Sequence, residues 1–199
     1  GAYYGGSSKR NIKNVDLKNN RKNTWGTGLI FNHEIDSIQN VTVAAGFTRQ
    51  ISENANKTAY YSNAYALGLA YNFVHTTYGL DLAHKDTKNK GGAGNKVKNN
   101  EVTAVIRQGL NEDWNVYAMY SYKTEKTLPV GSAYSKSTDR QFLVGTEYYV
   151  FKQGSVKVKP FIEWQATRTK YENTFDKDSG KQLDRSRDFK TVIGLRAYW

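Results

Sequence analysis

Residues 63–85 read NAYALGLAYNFVHTTYGLDLAHK and contain two alternating segments separated by a very short break. Odd positions from 65 to 73 hold tyrosine, leucine or phenylalanine, whereas even positions from 64 to 72 hold alanine, glycine or asparagine. In the second segment, Leu80 and Leu82 alternate with Asp81. A period of two predicts β-strands with one apolar face and one polar or small-residue face. The break is short enough to join the strands as a hairpin.

The same alternation recurs along the whole chain, and helical periodicity is nearly absent. Clusters of Asn, Gly, Asp, Lys and Ser separate the alternating segments, as expected of turns and loops. We therefore predict an all-β protein with about ten strands, the first of which is truncated. The predicted strands are residues 2–6, 24–33, 40–50, 63–73, 77–85, 100–110, 114–125, 140–151, 156–170 and 188–199.

The predicted connections alternate strictly between short and long. The short ones are residues 34–39, 74–76, 111–113 and 152–155, and the long ones are residues 7–23, 51–62, 86–99, 126–139 and 171–187. This order predicts an antiparallel up-and-down meander with one rim of short turns and one rim of long loops. Outer-membrane barrels have this asymmetry. A Greek-key sandwich would instead place long connections at both ends.

The composition is compatible with a membrane barrel. The chain has 199 residues and no cysteine, and its mean hydropathy is −0.73. No apolar run reaches the roughly 18 residues of a transmembrane helix, but a barrel that alternates lipid-facing and lumen-facing residues keeps its average hydropathy low. The absence of cysteine suits an oxidising compartment such as the bacterial envelope.

The net charge of +11 first suggests a nucleic-acid partner. The basic residues, however, do not lie on helices or in one compact patch, so we predict no nucleic-acid partner. Two long loops, residues 7–23 and 86–99, are strongly basic. On an outer surface they are expected to contact lipopolysaccharide phosphates, or to steer anions toward a pore mouth.

Aromatic residues decide which face meets lipid. The chain contains 15 tyrosines, eight phenylalanines and four tryptophans, and many lie near strand ends on the apolar face. Aromatic girdles at both edges of an apolar band are typical of membrane barrels. We predict a single transmembrane β-barrel domain over residues 1–199, in the bacterial outer membrane, with lipid outside and water inside. The aromatic residues assigned to the apolar face are Trp25, Tyr71, Phe73, Tyr78, Trp114, Tyr122, Phe142, Tyr148, Trp164, Phe189 and Trp199.

Charged residues on the opposite face are predicted to line the water path and to set its electrostatic field. Acidic members such as Glu147 are interpreted as counter-ions to wall cations rather than as catalytic acids. The predicted pore-lining residues are Asp81, Lys85, Glu101, Arg107, Lys123, Glu147, Lys157, Lys159, Glu163, Lys190 and Arg196.

No motif predicts catalysis, a metal site or a cofactor. The histidines His33, His75 and His84 lack metal-ligand spacing and are interpreted as solvated. The glycine-rich stretch GGAGNK at residues 91–96 precedes no predicted helix and is interpreted as a flexible rim.

The ordered set of segments resembles the general diffusion porins of the Haemophilus and Pasteurella group. The resemblance spans the chain but corresponds to the C-terminal part of such a porin. The segments that resemble the family are GAYYGG (1–6), TWGTGLIFNHEIDSIQNVTVAAGFTRQ (24–50), ALGLAYNF (66–73), YGLDLAHKDTKN (78–89), DWNVYAMYSYKTEK (113–126), FLVGTEYYVFKQGSVKVKPFIEWQATRTK (142–170) and TVIGLRAYW (191–199).

The resemblance implies a 16-stranded barrel, a homotrimer and passive, weakly selective diffusion of small hydrophilic solutes. The ten strands would correspond to the last ten of sixteen, so the strands that carry the family's constriction loop would precede Gly1. The family usually ends in Phe, whereas this chain ends in Trp199. We accordingly expect Trp199 to be a true terminus and Gly1 to be a cut end.

Other hypotheses stay open at this point. The chain could close as a ten-stranded barrel with a packed lumen and act through its loops, as an adhesin or an omptin-like protease. His84 near Asp86 is the faint candidate for such a protease. It could also form a specific channel for acidic oligosaccharides, although the predicted lining mixes both signs of charge.

Overall fold

The chain forms one antiparallel sheet in the computed structural model, which describes residues 1–5, 19–54, 59–89, 96–129, 134–154, 156–175 and 180–198. The predicted all-β, up-and-down fold is confirmed, since every strand of the described residues belongs to this sheet. In the same residues, no helix is long and apolar enough to cross a membrane. Trp199 and most of the GGAGNK stretch lie outside the described residues.

The strands follow one another along the chain and across the sheet. Their bounds are β1 (Ala2–Gly5), β2 (Asn19–Asp36), β3 (Gln39–Asn54), β4 (Ala59–Phe73), β5 (Thr76–Asn89), β6 (Lys96–Gly109), β7 (Trp114–Leu128), β8 (Ser135–Tyr148), β9 (Phe151–Gln153), β10 (Val156–Glu172) and β11 (Arg185–Tyr198).

Strands β8 and β9 share one position in the sheet. Both pair with β10, β8 over Phe161–Glu172 and β9 over Val156–Val158, while β11 takes the other edge of β10. The predicted strand at 140–151 is therefore interrupted at Tyr149 and Val150. Counting β8 and β9 as one interrupted strand gives the ten antiparallel strands that the sequence predicts.

Most strands extend further into the long connections than predicted. β2 begins at Asn19, inside the predicted loop 7–23, and β6 begins at Lys96, inside the predicted loop 86–99. These extensions are rich in Asn, Lys and Arg and lack an apolar face, so the hydrophobic pattern does not reveal them. They are paired through the backbone, as in the register Asn19↔Asn54.

Polar side chains fix two of the short turns. The Asp36 carboxylate accepts a hydrogen bond from the Ile38 amide at 2.9 Å. The Asn111 side-chain oxygen accepts from the amides of Asp113 and Trp114 at 2.9 and 2.8 Å. Asx turns of this kind reverse a chain within a few residues, which explains why one rim is short.

The strand register carries the alternation across the sheet. Residues directly opposite each other share a face, so Leu69 lies between Val43 of β3 and Leu80 of β5. We call the face that carries these residues the apolar face and the opposite one the polar face. Central residues of the apolar face are Leu29, Val43, Leu67, Leu69, Leu80, Leu82, Val102, Ile106, Ala118, Val144, Ile162, Ile193 and Leu195.

Aromatic side chains border this apolar band on both sides. Residues of the row toward the long loops contact one another; the ring centres of Trp25 and Phe47 are 5.1 Å apart. Tyr71 and Tyr78 stack at 6.2 Å in the row toward the short turns. On β7, Tyr122 and Trp114 mark the two rows and lie roughly 26 Å apart along the strand, at about 3.3 Å per residue. This is comparable with the apolar band of about 25 Å in membrane barrels.

The described residues of the sheet form no hydrophobic core. None of the described hydrophobic side chains is buried, and Leu69 and Leu80, in the middle of the apolar face, are 44% and 39% exposed. A water-soluble sheet of this size would bury one face against a second layer. The apolar face therefore lacks a cover among the described residues.

The two edges of the sheet are β1 and β11. β1 covers only Thr24–Thr27 of β2, plus the backbone bonds between Gly1 and Gly28 at 2.9 Å. Within the described residues no pairing joins β1 to β11, so closure of the sheet into a barrel stays a prediction.

Candidate functional site: a charged wall on the polar face

The polar face carries every residue predicted to line a pore. The register puts each of them on the other side of the sheet from Leu69, Ala118 and Ile193, as the alternation of the sequence predicts. The structure then divides them into two groups and three single residues. The first group, which we call the charged wall, is Arg107, Glu147, Lys159, Glu163 and Arg196. The second group is Lys85, Glu101 and Lys123, and the single residues are Asp81, Lys157 and Lys190.

Glu147 of β8 is the centre of the first group. One carboxylate oxygen, Oε1, accepts hydrogen bonds from Arg107 Nη2 at 2.7 Å and Lys159 Nζ at 2.8 Å. The other, Oε2, accepts from Arg196 Nη1 at 2.7 Å. The Glu147 side chain is 3% exposed and that of Lys159 is 7% exposed. A carboxylate this buried is stable only because both of its oxygens meet cationic donors.

Arg196 links Glu147 to a second carboxylate. Its other terminal nitrogen, Nη2, donates to Glu163 Oε1 at 2.9 Å. The Tyr117 hydroxyl donates to the same Glu163 oxygen at 2.6 Å. The network thus ties five strands together, because its members lie on β6, β7, β8, β10 and β11.

Several of these contacts reach across an intervening strand. Arg107 on β6 meets Glu147 on β8, and Tyr117 on β7 meets Glu163 on β10. Neighbouring strands are about 4.8 Å apart, so strands two apart are about twice that distance. Contacts of this length on the polar face are expected of the concave side of a curved sheet.

Aromatic rings pack against the cations of the charged wall. The Arg196 guanidinium carbon lies 4.2 Å from the centre of the Phe161 ring. Lys159 Nζ lies 5.0 Å from the Tyr149 ring and 5.3 Å from the Tyr198 ring. These distances suit cation–π attraction. The sequence interpretation named the charged residues of this group and missed these aromatic partners.

Two glycines allow the rings to lie flat on the sheet. Gly145 is directly opposite Tyr117, and a Cβ atom there would lie 2.5 Å from the Tyr117 ring. Gly194 is directly opposite Phe161, and its Cβ would clash with the Phe161 ring. Covering a sheet glycine with an aromatic ring from the next strand protects the backbone. Here it also lays the wall side chains along the sheet and away from the space above it.

The second group is more open. Glu101 is directly opposite Lys123, and both line a depression with Lys85. Glu101 accepts long hydrogen bonds from the Thr103 and Ser121 hydroxyls at 3.4 and 3.3 Å. None of the described carboxylates lies within salt-bridge distance of Lys85 or Lys123. These cations are therefore available to solvent and ions to a degree that Lys159 is not.

The three single residues lie apart from both groups. Asp81 packs over Gly68, since a Cβ atom at Gly68 would lie 2.9 Å from its Oδ1. Lys190 pairs with Asp188 at 3.2 Å in an exposed position. Lys157 is exposed and directly opposite Tyr198.

His84 and Asp86 lie apart from the charged residues of the polar face. His84 lies on the apolar face; its Nε2 is 3.5 Å from Asp86 and its Nδ1 is 2.6 Å from the Asn100 side-chain oxygen. The Asp86 side chain shares this face, so the candidate protease pair does not point toward the charged wall. Among the described residues, no cluster of His, Cys, Asp and Glu could hold a metal ion.

Comparisons of the chain with protein-family models, with curated proteins and with solved structures found no match.

Proposed function

We propose that this protein is an outer-membrane porin, a passive channel for small hydrophilic solutes and ions. The observation that carries the proposal is the exposed apolar face, which is bordered by two aromatic rows and has no cover among the described residues. Burying that face in lipid provides the apolar surroundings that the sheet itself lacks. The polar face then lines water.

The composition of the polar face supports diffusion without tight binding. Strands β2 to β5 present small residues there, among them Gly28, Ala44, Gly46, Ala66 and Gly68. Strands β6 to β11 present the charged wall. Small residues leave room for water, and a wall of both charge signs favours weak ion selectivity.

The charge on the polar face also varies along the strands. Toward the short turns, Arg107, Lys157, Lys159 and Arg196 outnumber Glu147 and Glu163. Toward the long loops, Glu101, Glu125, Asp139 and Asp188 face Lys85, Lys123 and Lys190. The electrostatic field is thus expected to be positive near the short turns, where cations outnumber carboxylates. Near the long loops it is expected to be close to neutral or negative.

Assembly is part of the proposal. The free edges at β1 and β11 need partner strands in a membrane, because unpaired backbone groups in lipid cost several kcal/mol each. The porin resemblance suggests a wider barrel and a homotrimer with lipopolysaccharide as its lipid neighbour. We propose no enzymatic activity and no cofactor.

A specific channel for acidic oligosaccharides is less well supported. Such a lumen needs ladders of free cations, whereas Arg107, Lys159 and Arg196 are all committed to Glu147.

Planar-bilayer recording tests the proposal. The protein extracted from outer membranes in mild detergent is expected to give stepwise conductance increments that scale roughly with bulk salt concentration, with a small reversal potential in a KCl gradient. The absence of steps, from preparations that insert into liposomes with intact sheet structure, would refute the channel.

A further inference from the structure

Three arginines form an uninterrupted row on the apolar face, near the long loops. Arg168 of β10 is directly opposite Arg140 of β8 on one side and Arg187 of β11 on the other. Like charges directly opposite each other in a sheet are destabilising. The row therefore carries an electrostatic cost that the isolated sheet does not relieve.

Nearby acidic groups do not neutralise the row. Among the described residues, none of the three arginines has a carboxylate within 4 Å. Glu172 is shared between Lys136 and Lys170 at 3.8 and 3.7 Å. All three arginines are exposed, so their guanidinium groups are available to an anion.

An apolar groove lies directly beside the row. One step toward the centre of the sheet, Ala166 is directly opposite Phe142 on one side and Phe189 on the other. The small side chain between two rings opens a groove of about 350 Å³ that the three arginines also line. The Trp164 ring, one step further toward the centre of the sheet, stacks on Phe189 at 6.2 Å.

We propose that the arginine row and this groove bind a phosphorylated, acylated glycolipid of the outer leaflet, namely lipopolysaccharide. Its phosphates would bridge the guanidinium groups, which bind phosphate through paired N–H donors. An acyl chain would lie over Ala166 between the two phenylalanine rings. This inference rests on the proposed placement of the apolar face in lipid.

The groove selects the lipid as the occupant. A free phosphate ion would relieve the charge repulsion but would make no contact with the apolar groove. A ligand whose phosphate is joined to an acyl chain satisfies both halves of the site, and the row stands at the upper border of the apolar band, where a lipid headgroup lies.

Binding of lipopolysaccharide to the detergent-solubilised protein tests the site. We expect the triple variant R140Q/R168Q/R187Q to bind lipopolysaccharide at least tenfold more weakly than the unchanged protein. The matched control is Arg49→Gln, because Arg49 also lies on the apolar face toward the long loops, stacked on Tyr61 at 5.0 Å and away from the row. It should bind as the unchanged protein does. Equal binding by the triple variant would overturn the proposal.

Two further probes separate lipid from phosphate. Ala166→Trp, which fills the groove and keeps all three arginines, should weaken binding of acylated lipopolysaccharide severalfold while leaving binding of the deacylated form unchanged. Inorganic phosphate should compete only at concentrations at least a hundredfold higher than lipopolysaccharide. Equal affinity for the acylated and deacylated forms would contradict the lipid assignment.

A stability measurement keeps the test informative if a variant folds poorly. In lipid-free detergent, Arg168→Gln should resist urea better than the unchanged protein, because it removes the central repulsion. Added lipopolysaccharide should stabilise the unchanged protein more than this variant; the opposite pattern would reject the site. None of these substitutions lies on the polar face, so all of the variants should still conduct ions. Loss of the lipid site can therefore be distinguished from failure of the proposed channel function.

Discussion

Replacing Glu147 by glutamine is expected to lower the free energy of unfolding by about 3–5 kcal/mol, the usual cost of breaking a buried ion pair on one side. The substitution keeps the size of the side chain but leaves the buried ammonium group of Lys159 without its carboxylate, 2.8 Å away. Arg107 and Arg196 lose the same partner but are partly exposed, so water compensates them. A urea titration in detergent micelles, followed by tryptophan fluorescence, measures the change.

Two further variants make the prediction for Glu147→Gln specific. Glu101→Gln removes a carboxylate from the same face whose contacts are long hydroxyl hydrogen bonds, and its unfolding free energy should change by less than about 0.5 kcal/mol. Adding Lys159→Met to Glu147→Gln should restore much of the loss, because an apolar replacement removes the stranded charge. Equal effects of Glu147→Gln and Glu101→Gln would show that Glu147 is not the centre of the wall.

Leu69→Arg is expected to impair membrane insertion strongly, whereas Ala70→Arg is not. Leu69 lies midway between the aromatic rows on the apolar face, so arginine there would face the bilayer centre at a cost of about 2–4 kcal/mol. Ala70 is the next residue on the same strand and faces the polar side, opposite Thr42 and Gly79. The urea dependence of folding into liposomes measures both.

The contrast within this neighbouring pair is the informative quantity. The backbone position, strand and lipid depth are nearly the same, so the difference between the two variants reports which face meets lipid. Comparable losses in both variants, or a larger loss in Ala70→Arg, would contradict the assignment of faces.

The sequence predicts the strands and their faces because the side-chain period of two is visible locally. The alternation in residues 63–73 needs no knowledge of neighbouring strands to assign Leu67 and Leu69 to one face. Two of the short turns are equally local, since Asp36 and Asn111 fix them through hydrogen bonds from amides two or three residues ahead.

Features that depend on which residues become neighbours across strands could not be predicted this way. Glu147 and Arg196 are 49 residues apart in the chain, and only the register of β8, β10 and β11 brings them together. The same holds for the arginine row and for Tyr117 over Gly145. The outer ends of the strands were missed for another reason, because their polar sequences resemble loops and their pairing with the neighbouring strand is not visible in the local pattern.

The central claim is that the apolar face meets lipid and the polar face meets water. The chain has no cysteine, so single cysteines carrying nitroxide spin labels can be placed at residues 116 to 121 of β7 in liposome-reconstituted protein. The account predicts strict alternation: labels at Val116, Ala118 and Tyr120 collide with lipid-dissolved oxygen, and labels at Tyr117, Met119 and Ser121 collide with a water-soluble nickel chelate. Labels on the apolar face that neither reagent reaches would mean that a protein layer covers it, and would contradict the account.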